Sequence, residues 1–187
     1  MRTAAPLTSA LARSGFAHAV NSFAFPSPEF VHTGPRRYGL LLASRFPIEP
    51  IAPGRFEIPW PERVLSARIF VPGKTVEVHT THIPPGSSNG WIKIAMLQGL
   101  YGGLARPSAV PCILCGDFNA PQAERPDGVV VTWAERIRRN GTIARCATVR
   151  GGPGAAWDAA ERSILLGLQP HDLADVFRAI HGYGIRV

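Results

Sequence analysis

The segment Cys112-Ile113-Leu114-Cys115-Gly116-Asp117-Phe118-Asn119-Ala120-Pro121 constrains the fold more than any other part of the chain. An apolar run that stops at glycine and then sets an aspartate and an asparagine two apart describes a buried strand delivering polar groups to a sheet edge. Side chains two apart on a strand share a face, so Asp117 and Asn119 can reach one ligand while Phe118 anchors the opposite face. The carboxylate can hold a hard cation or polarise water, and the amide can donate to a phosphate oxygen. The plain alternative is that Asp and Asn form the turn by which any strand leaves a sheet.

At 187 residues the chain fits one domain, large enough to bury a core without disulfides or structural metal. Its mean hydropathy of +0.05 is that of a globular protein. No uninterrupted apolar stretch approaches the ~18 residues of a membrane span, so a soluble, cytoplasmic protein without a transmembrane segment is expected. Three cysteines, an odd number, argue against a secreted, disulfide-stapled fold. Cys112-x-x-Cys115 has the spacing of a redox or zinc half-site. Residues three apart on a strand face opposite sides, however, and no second pair completes a tetrad, so both read as small core residues.

The net charge is +7, and 18 of the 20 basic side chains are arginine. Arginine's planar fork suits phosphate, which makes a polyanion one natural partner. A coding bias toward Ala, Gly, Pro and Arg is the competing explanation, because the charges are scattered. Oligomeric state leaves no signature in the sequence.

Leu7 to Ser14 reads as an amphipathic helix ended by Gly15, against a transit peptide suggested by the absence of any acid in the first 28 residues. Tyr38 to Ser44 reads as a buried strand, and the prolines at 47, 50, 53, 59 and 61 as a loop. Arg63–Val71 and Thr75–Thr81 around Pro72-Gly73-Lys74 predict an antiparallel hairpin. Ser87, Ser88 and Asn89 offer caps for a helix to about Ala105 with a core stripe at Ile92, Met96, Leu100 and Leu104. Trp133 to Asn140 predicts a short basic helix closed by Gly141, and Gly151 to Gly154 a loop. Asp158–Gly167 and Asp172–Ile180 are further helices, separated by Pro170.

The strand that ends in Thr80-Thr81-His82 and the strand that ends in Asp117 are joined by one helix, which suggests a common edge. There His82 could protonate a leaving oxygen or stabilise charge on phosphorus. Taken alone, His82 reads first as a structural or surface histidine, and its place at a strand end just before Pro84-Pro85-Gly86 sets the two readings level.

Leu40 to Pro47, Thr81-His82, Gly116-Asp117-Phe118-Asn119 and the stretch Glu161-Arg162 through Gly167-Leu168 to Asp175-Val176-Phe177-Arg178 follow one another in an order that resembles the endonuclease/exonuclease/phosphatase superfamily. The resemblance spreads over most of residues 7 to 181. It implies a four-layer α/β sandwich of two mostly antiparallel sheets flanked by helices. It also implies hydrolysis of a phosphoester, as phosphodiesterase, nuclease or phosphatase, with Mg2+ or Mn2+ as cofactor.

Carried over, Asp117 orients or activates water and touches metal, Asn119 holds the scissile phosphate, that water or the metal, and His82 stands near the phosphate. Arg45 is a candidate for substrate binding, and Arg178 for structural pairing. The resemblance further implies a chain incomplete at both ends. The family's metal-binding glutamate would precede the first helix, its Asp-His end would follow Val187, and Glu29, between prolines, does not replace the lost ligand. An inactive shortened paralogue and a basic nucleic-acid-binding module therefore stand beside the hydrolase. The arginine content leans the substrate toward nucleic acid, with phospholipid, inositol phosphate and nucleotide open.

Overall fold

The computed structural model describes residues 4–23, 39–106 and 108–182. The start of the expected strand at Tyr38, and Glu29, lie outside them. The chain divides into two compact units, one of Met1–His82 with Ser108–Gly116 and one of Ile83–Pro107 with Asp117–Val187. Five α-helices and several small sheets, none closed into a barrel among the described residues, give the mixed α/β class expected. No described helix is long and apolar enough to cross a membrane.

In the first unit, α1 (Ala4–Arg13) stops where Gly15 takes a φ of +88° and Phe16 N–H reaches back to Leu11 O at 3.0 Å. This is the glycine-dependent ending expected from the sequence. β1 (His18–Asn21) and β2 (Leu41–Ser44) pair antiparallel, with His18 opposite Ser44.

A four-stranded sheet follows, ordered β3 (Ile48–Ile51), β4 (Val64–Val71), β5 (Lys74–His82), β6 (Cys112–Asp117). β3 falls inside the proline-rich stretch expected to be a loop. As an edge strand it tolerates Pro50, which has no N–H to give the ladder. The β4–β5 hairpin is the expected one, from Val71 opposite Lys74 to Val64 opposite Thr81, and Gly73 supplies the φ of +78° its turn needs. Glu77 N–H donates to Pro111 O, and Ile83 N–H donates to Asp117 O, an equal step further along both segments. β6 therefore runs parallel to β5, joined to it by a helical crossover.

Leu65 and Ala67 of β4, Val78 of β5, and Phe56 and Trp60 are buried. β6 is not the buried strand the sequence predicts. Ile113 is 49% exposed and Cys115 is exposed, because β6 is an edge of this sheet, so the cysteine pair is not core.

In the second unit the helix expected as one piece is two, α2 (Gly86–Asn89) and α3 (Trp91–Leu104), broken at Gly90 with a φ of +55°. No serine or asparagine side chain caps either. α3 is buried at Lys93, Ile94, Met96, Leu97, Leu100 and Leu104. Apolar residues on nearly every face leave it no broad polar side.

β7 (Ala123–Glu124) pairs with β8 (Val130–Val131). The basic helix predicted over Trp133 to Asn140 is instead a hairpin of β9 (Glu135–Ile137) and β10 (Ile143–Arg145). Asn140 Oδ1 accepts from Thr142 N–H at 3.1 Å and Gly141 takes a φ of +80°, so Asn-Gly acts as turn chemistry rather than as a helix ending. The predicted loop at Gly151 to Gly154 contains a second small hairpin, β11 (Thr148–Val149) with β12 (Gly152–Pro153). Arg150 and Gly151, both at positive φ, turn it. α4 (Gly154–Leu165) packs on α3, where Trp157 meets Trp91 edge-to-face at 5.6 Å. α5 (Val176–His181) starts at Asp175, whose Oδ1 accepts from Arg178 N–H at 2.9 Å.

Candidate active site

Gly116 occupies a place no other residue fits. Its φ is +139°, and a Cβ there would lie 2.0 Å from the Thr81 carbonyl oxygen. The next residues leave the strand in a tight turn: Asp117 Oδ1 accepts from Asn119 N–H at 2.8 Å, and Asn119 adopts a left-handed φ of +48°. That conformation costs a non-glycine residue about 1–3 kcal/mol and is best tolerated by Asn and Asp. Asp117 and Asn119 thus come together through a side-chain-to-backbone turn, not through the alternation of a strand.

The turn also fixes which way the Asn119 amide points. Nδ2 donates to Ile83 O at 2.7 Å and leans toward Asp117 Oδ2 at 3.4 Å, which uses both amide hydrogens. Oδ1, an acceptor, is the polar atom of the side chain left over. An exposed carboxylate and an amide oxygen side by side are suited to accepting hydrogen bonds from one water molecule.

Behind the turn lies a charge pair that sequence reading missed. Lys93 of α3 is fully buried, and its Nζ sits 2.5 Å from Glu161 Oε1 of α4 and 2.8 Å from Asn119 O. Glu161, equally buried, also accepts from Trp157 Nε1 at 2.9 Å and from Trp133 N–H at 2.9 Å. Trp133 Nε1 in turn donates to Asn119 O at 3.0 Å. Burial pushes the Lys93 ammonium below its ordinary range, while the Glu161 carboxylate and, more weakly, the charge of Asp117 pull it back up. The signal that could have exposed Lys93 is its helix: a lone lysine among apolar residues on all sides has no water to reach.

Asn119, Trp133, Trp157, Arg150, Pro85 and Ser87 help line a cleft of about 210 Å³ in this unit. The Trp133 ring is half exposed there although its N–H is anchored.

His82 and Arg45 belong to the first unit. Arg63 Nη1 lies 2.9 Å from His82 Nδ1. A guanidinium can only donate, so Nδ1 is the acceptor and the proton of the neutral ring sits on Nε2. Arg45 lies over the Phe16 ring, 5.4 Å from its centroid. Arg178 is ion-paired with Glu124, with its Nε 3.1 Å from Glu124 Oε1, in keeping with a structural part.

Among the described residues no three His, Cys, Asp or Glu side chains gather as a metal-binding cluster. Asp117, with one oxygen already accepting from Asn119 N–H, and the Asn119 side-chain Oδ1 are two donors from a single turn. Magnesium requires a near-octahedral shell of oxygens, which these residues alone do not fit.

The sequence pattern of the Endonuclease/Exonuclease/phosphatase family matches residues 3–161. The match takes in His82, Asp117, Asn119, Lys93 and Glu161 and leaves the Asp175–Arg178 segment outside. No curated protein matches the chain.

Proposed function

The chain belongs to the endonuclease/exonuclease/phosphatase family, and on that premise we propose that it is a phosphoester hydrolase whose reacting water is held by Asp117 and Asn119. The observation that supports this reading is the turn in which the Asn119 amide is locked with Oδ1 as its remaining acceptor, next to the exposed Asp117 carboxylate. Asp117 takes one proton from the water and Asn119 Oδ1 accepts a hydrogen bond from the remaining O–H, which leaves an oxygen lone pair to attack phosphorus. The bond to the leaving oxygen breaks as the new one forms. For His82 we propose a hydrogen bond from Nε2–H to the negative charge that develops on the phosphate, the leaving oxygen taking its proton from solvent, and for Arg45 a contact to substrate phosphate. A divalent cation, Mg2+ or Mn2+, belongs to the family's chemistry.

The arginine-rich charge of +7 favours a nucleic acid as the polyanionic substrate. The cysteines, free where described, support a reducing compartment such as the cytoplasm. A second reading, a chain that keeps the fold without turnover, is favoured by the shortage of gathered metal donors among the described residues.

Release of nitrophenol from bis-nitrophenyl phosphate, assayed with Mg2+ or Mn2+, separates the two. The hydrolase reading expects turnover that drops by at least about 100-fold in Asp117→Ala. Equal rates in the two proteins remove it and leave the second reading standing.

A further inference from the structure

We infer that Lys93 and Glu161 act together as a clamp that fixes the backbone at Asn119, making them positioning residues for the reacting pair; as a role in catalysis this rests on the hydrolase reading above. Asn119 is in a left-handed conformation, which is costly for a non-glycine residue. Its carbonyl oxygen accepts from two donors, Lys93 Nζ at 2.8 Å and Trp133 Nε1 at 3.0 Å.

Both donors lead back to one carboxylate. Glu161 Oε1 is 2.5 Å from Lys93 Nζ, and Glu161 Oε2 accepts from the Trp133 backbone N–H at 2.9 Å. A third donor, Trp157 Nε1, holds the carboxylate itself at 2.9 Å. The arrangement is stiff because each long side chain is spanned between helices and sealed from solvent: Lys93 and Glu161 are both 0% exposed.

A buried ion pair is a poor device for stability alone, since apolar residues of similar size would serve as well or better. Here the ammonium also carries a hydrogen bond that no apolar substitute could supply, directed at the carbonyl of a residue whose side chain faces the site. Holding that carbonyl fixes ψ at Asn119, and so the Cα from which both the N–H given to Asp117 Oδ1 and the side chain that donates Nδ2 to Ile83 O project. The clamp therefore controls the direction of Asn119 Oδ1 and of the Asp117 carboxylate without touching substrate.

The test uses the full chain with Lys93→Met/Glu161→Gln, which removes both charges at once and retains one acceptor oxygen toward the tryptophan donors. With near-UV circular dichroism showing an intact fold, turnover of bis-nitrophenyl phosphate is expected to show kcat about 100-fold lower with KM little changed. The backbone amide resonances of Asp117 and Asn119 should move while those of the β4–β5 hairpin hold. An intact double variant with unchanged kcat, or with both amides unmoved, overturns the inference.

If the natural chain shows no turnover, the hydrolase reading falls and the amide resonances alone decide whether the clamp holds Asn119. If the double variant does not fold, Trp133→Phe, which removes just the second donor from a half-exposed ring, takes its place. It is expected to lower kcat about tenfold. Unchanged kcat and unmoved amides in that variant also overturn the clamp.

Discussion

The sheet of the first unit and the helix pair of the second each seal one basic side chain from water, and they meet the same desolvation in opposite ways. His79 of β5 gives up its charge. Burial and the nearby Arg55 guanidinium hold its imidazole down at about 4, against a weaker opposing pull from Glu77. Its Nδ1 lies 2.7 Å from Ser66 Oγ on β4, and Nε2 has no partner. An unpaired lone pair costs less than an unpaired N–H, so the proton sits on Nδ1 and the ring packs, edge-to-face, on Phe56 at 5.2 Å. Lys93 instead keeps its charge and brings a carboxylate in with it. A neutral ring can pack in a core at little electrostatic cost. A charge kept at such expense marks the place where something has to be held.

Three measurements would break or sharpen this contrast. The largest effect is expected from Lys93→Met, which strands the buried Glu161 carboxylate and should lower unfolding stability by about 3–5 kcal/mol in urea titrations at neutral pH. A loss below 1 kcal/mol would show that no charge pair is kept there.

Next is acid. His79 has a folded pKa near 4 against an ordinary 6.5, so the unfolded chain binds the proton first. Its contribution is complete above pH 6.5 and is lost as pH falls toward 4, amounting to about 3 kcal/mol. Glu77, held below its usual range by Ser108 and Arg55 despite burial, adds a loss of the same sign at still lower pH. His79→Leu should flatten the upper part of this slope in thermal melts taken from pH 7 to 4. A slope that survives the substitution would place the titration elsewhere.

Ser66→Ala is expected to be the mildest, about 1 kcal/mol, since it leaves one buried donor unsatisfied while the ring remains neutral. A change as large as that of Lys93→Met would mean that His79 is charged after all.

The residues of the Gly116–Asn119 turn were the most legible. Gly116, Asp117 and Asn119 announce themselves because a glycine is demanded by the Thr81 backbone and because Asp and Asn are the residues that make such a turn. The β4–β5 hairpin was equally plain, with alternation on both sides of Pro72-Gly73. Trp133 to Asn140 misled because its basic residues match a solvated helix face, and the Asn140-Gly141 turn signal lay at the margin of the segment. β6 looked buried because composition reports apolarity and not which edges of a sheet are covered. Lys93 and Glu161 lie 68 positions apart, a distance over which no local periodicity carries information.

Trp133 joins an anchored N–H to a ring that is 51% exposed, whereas Trp60 and Trp157 are buried and Trp91 is half-buried. Among the chain's four indoles it is therefore the one most open to a dissolved quencher such as iodide, and the one wired to the Asn119 carbonyl. The long-wavelength edge of the intrinsic fluorescence thus serves as a native optical gauge of that peptide, readable without any label.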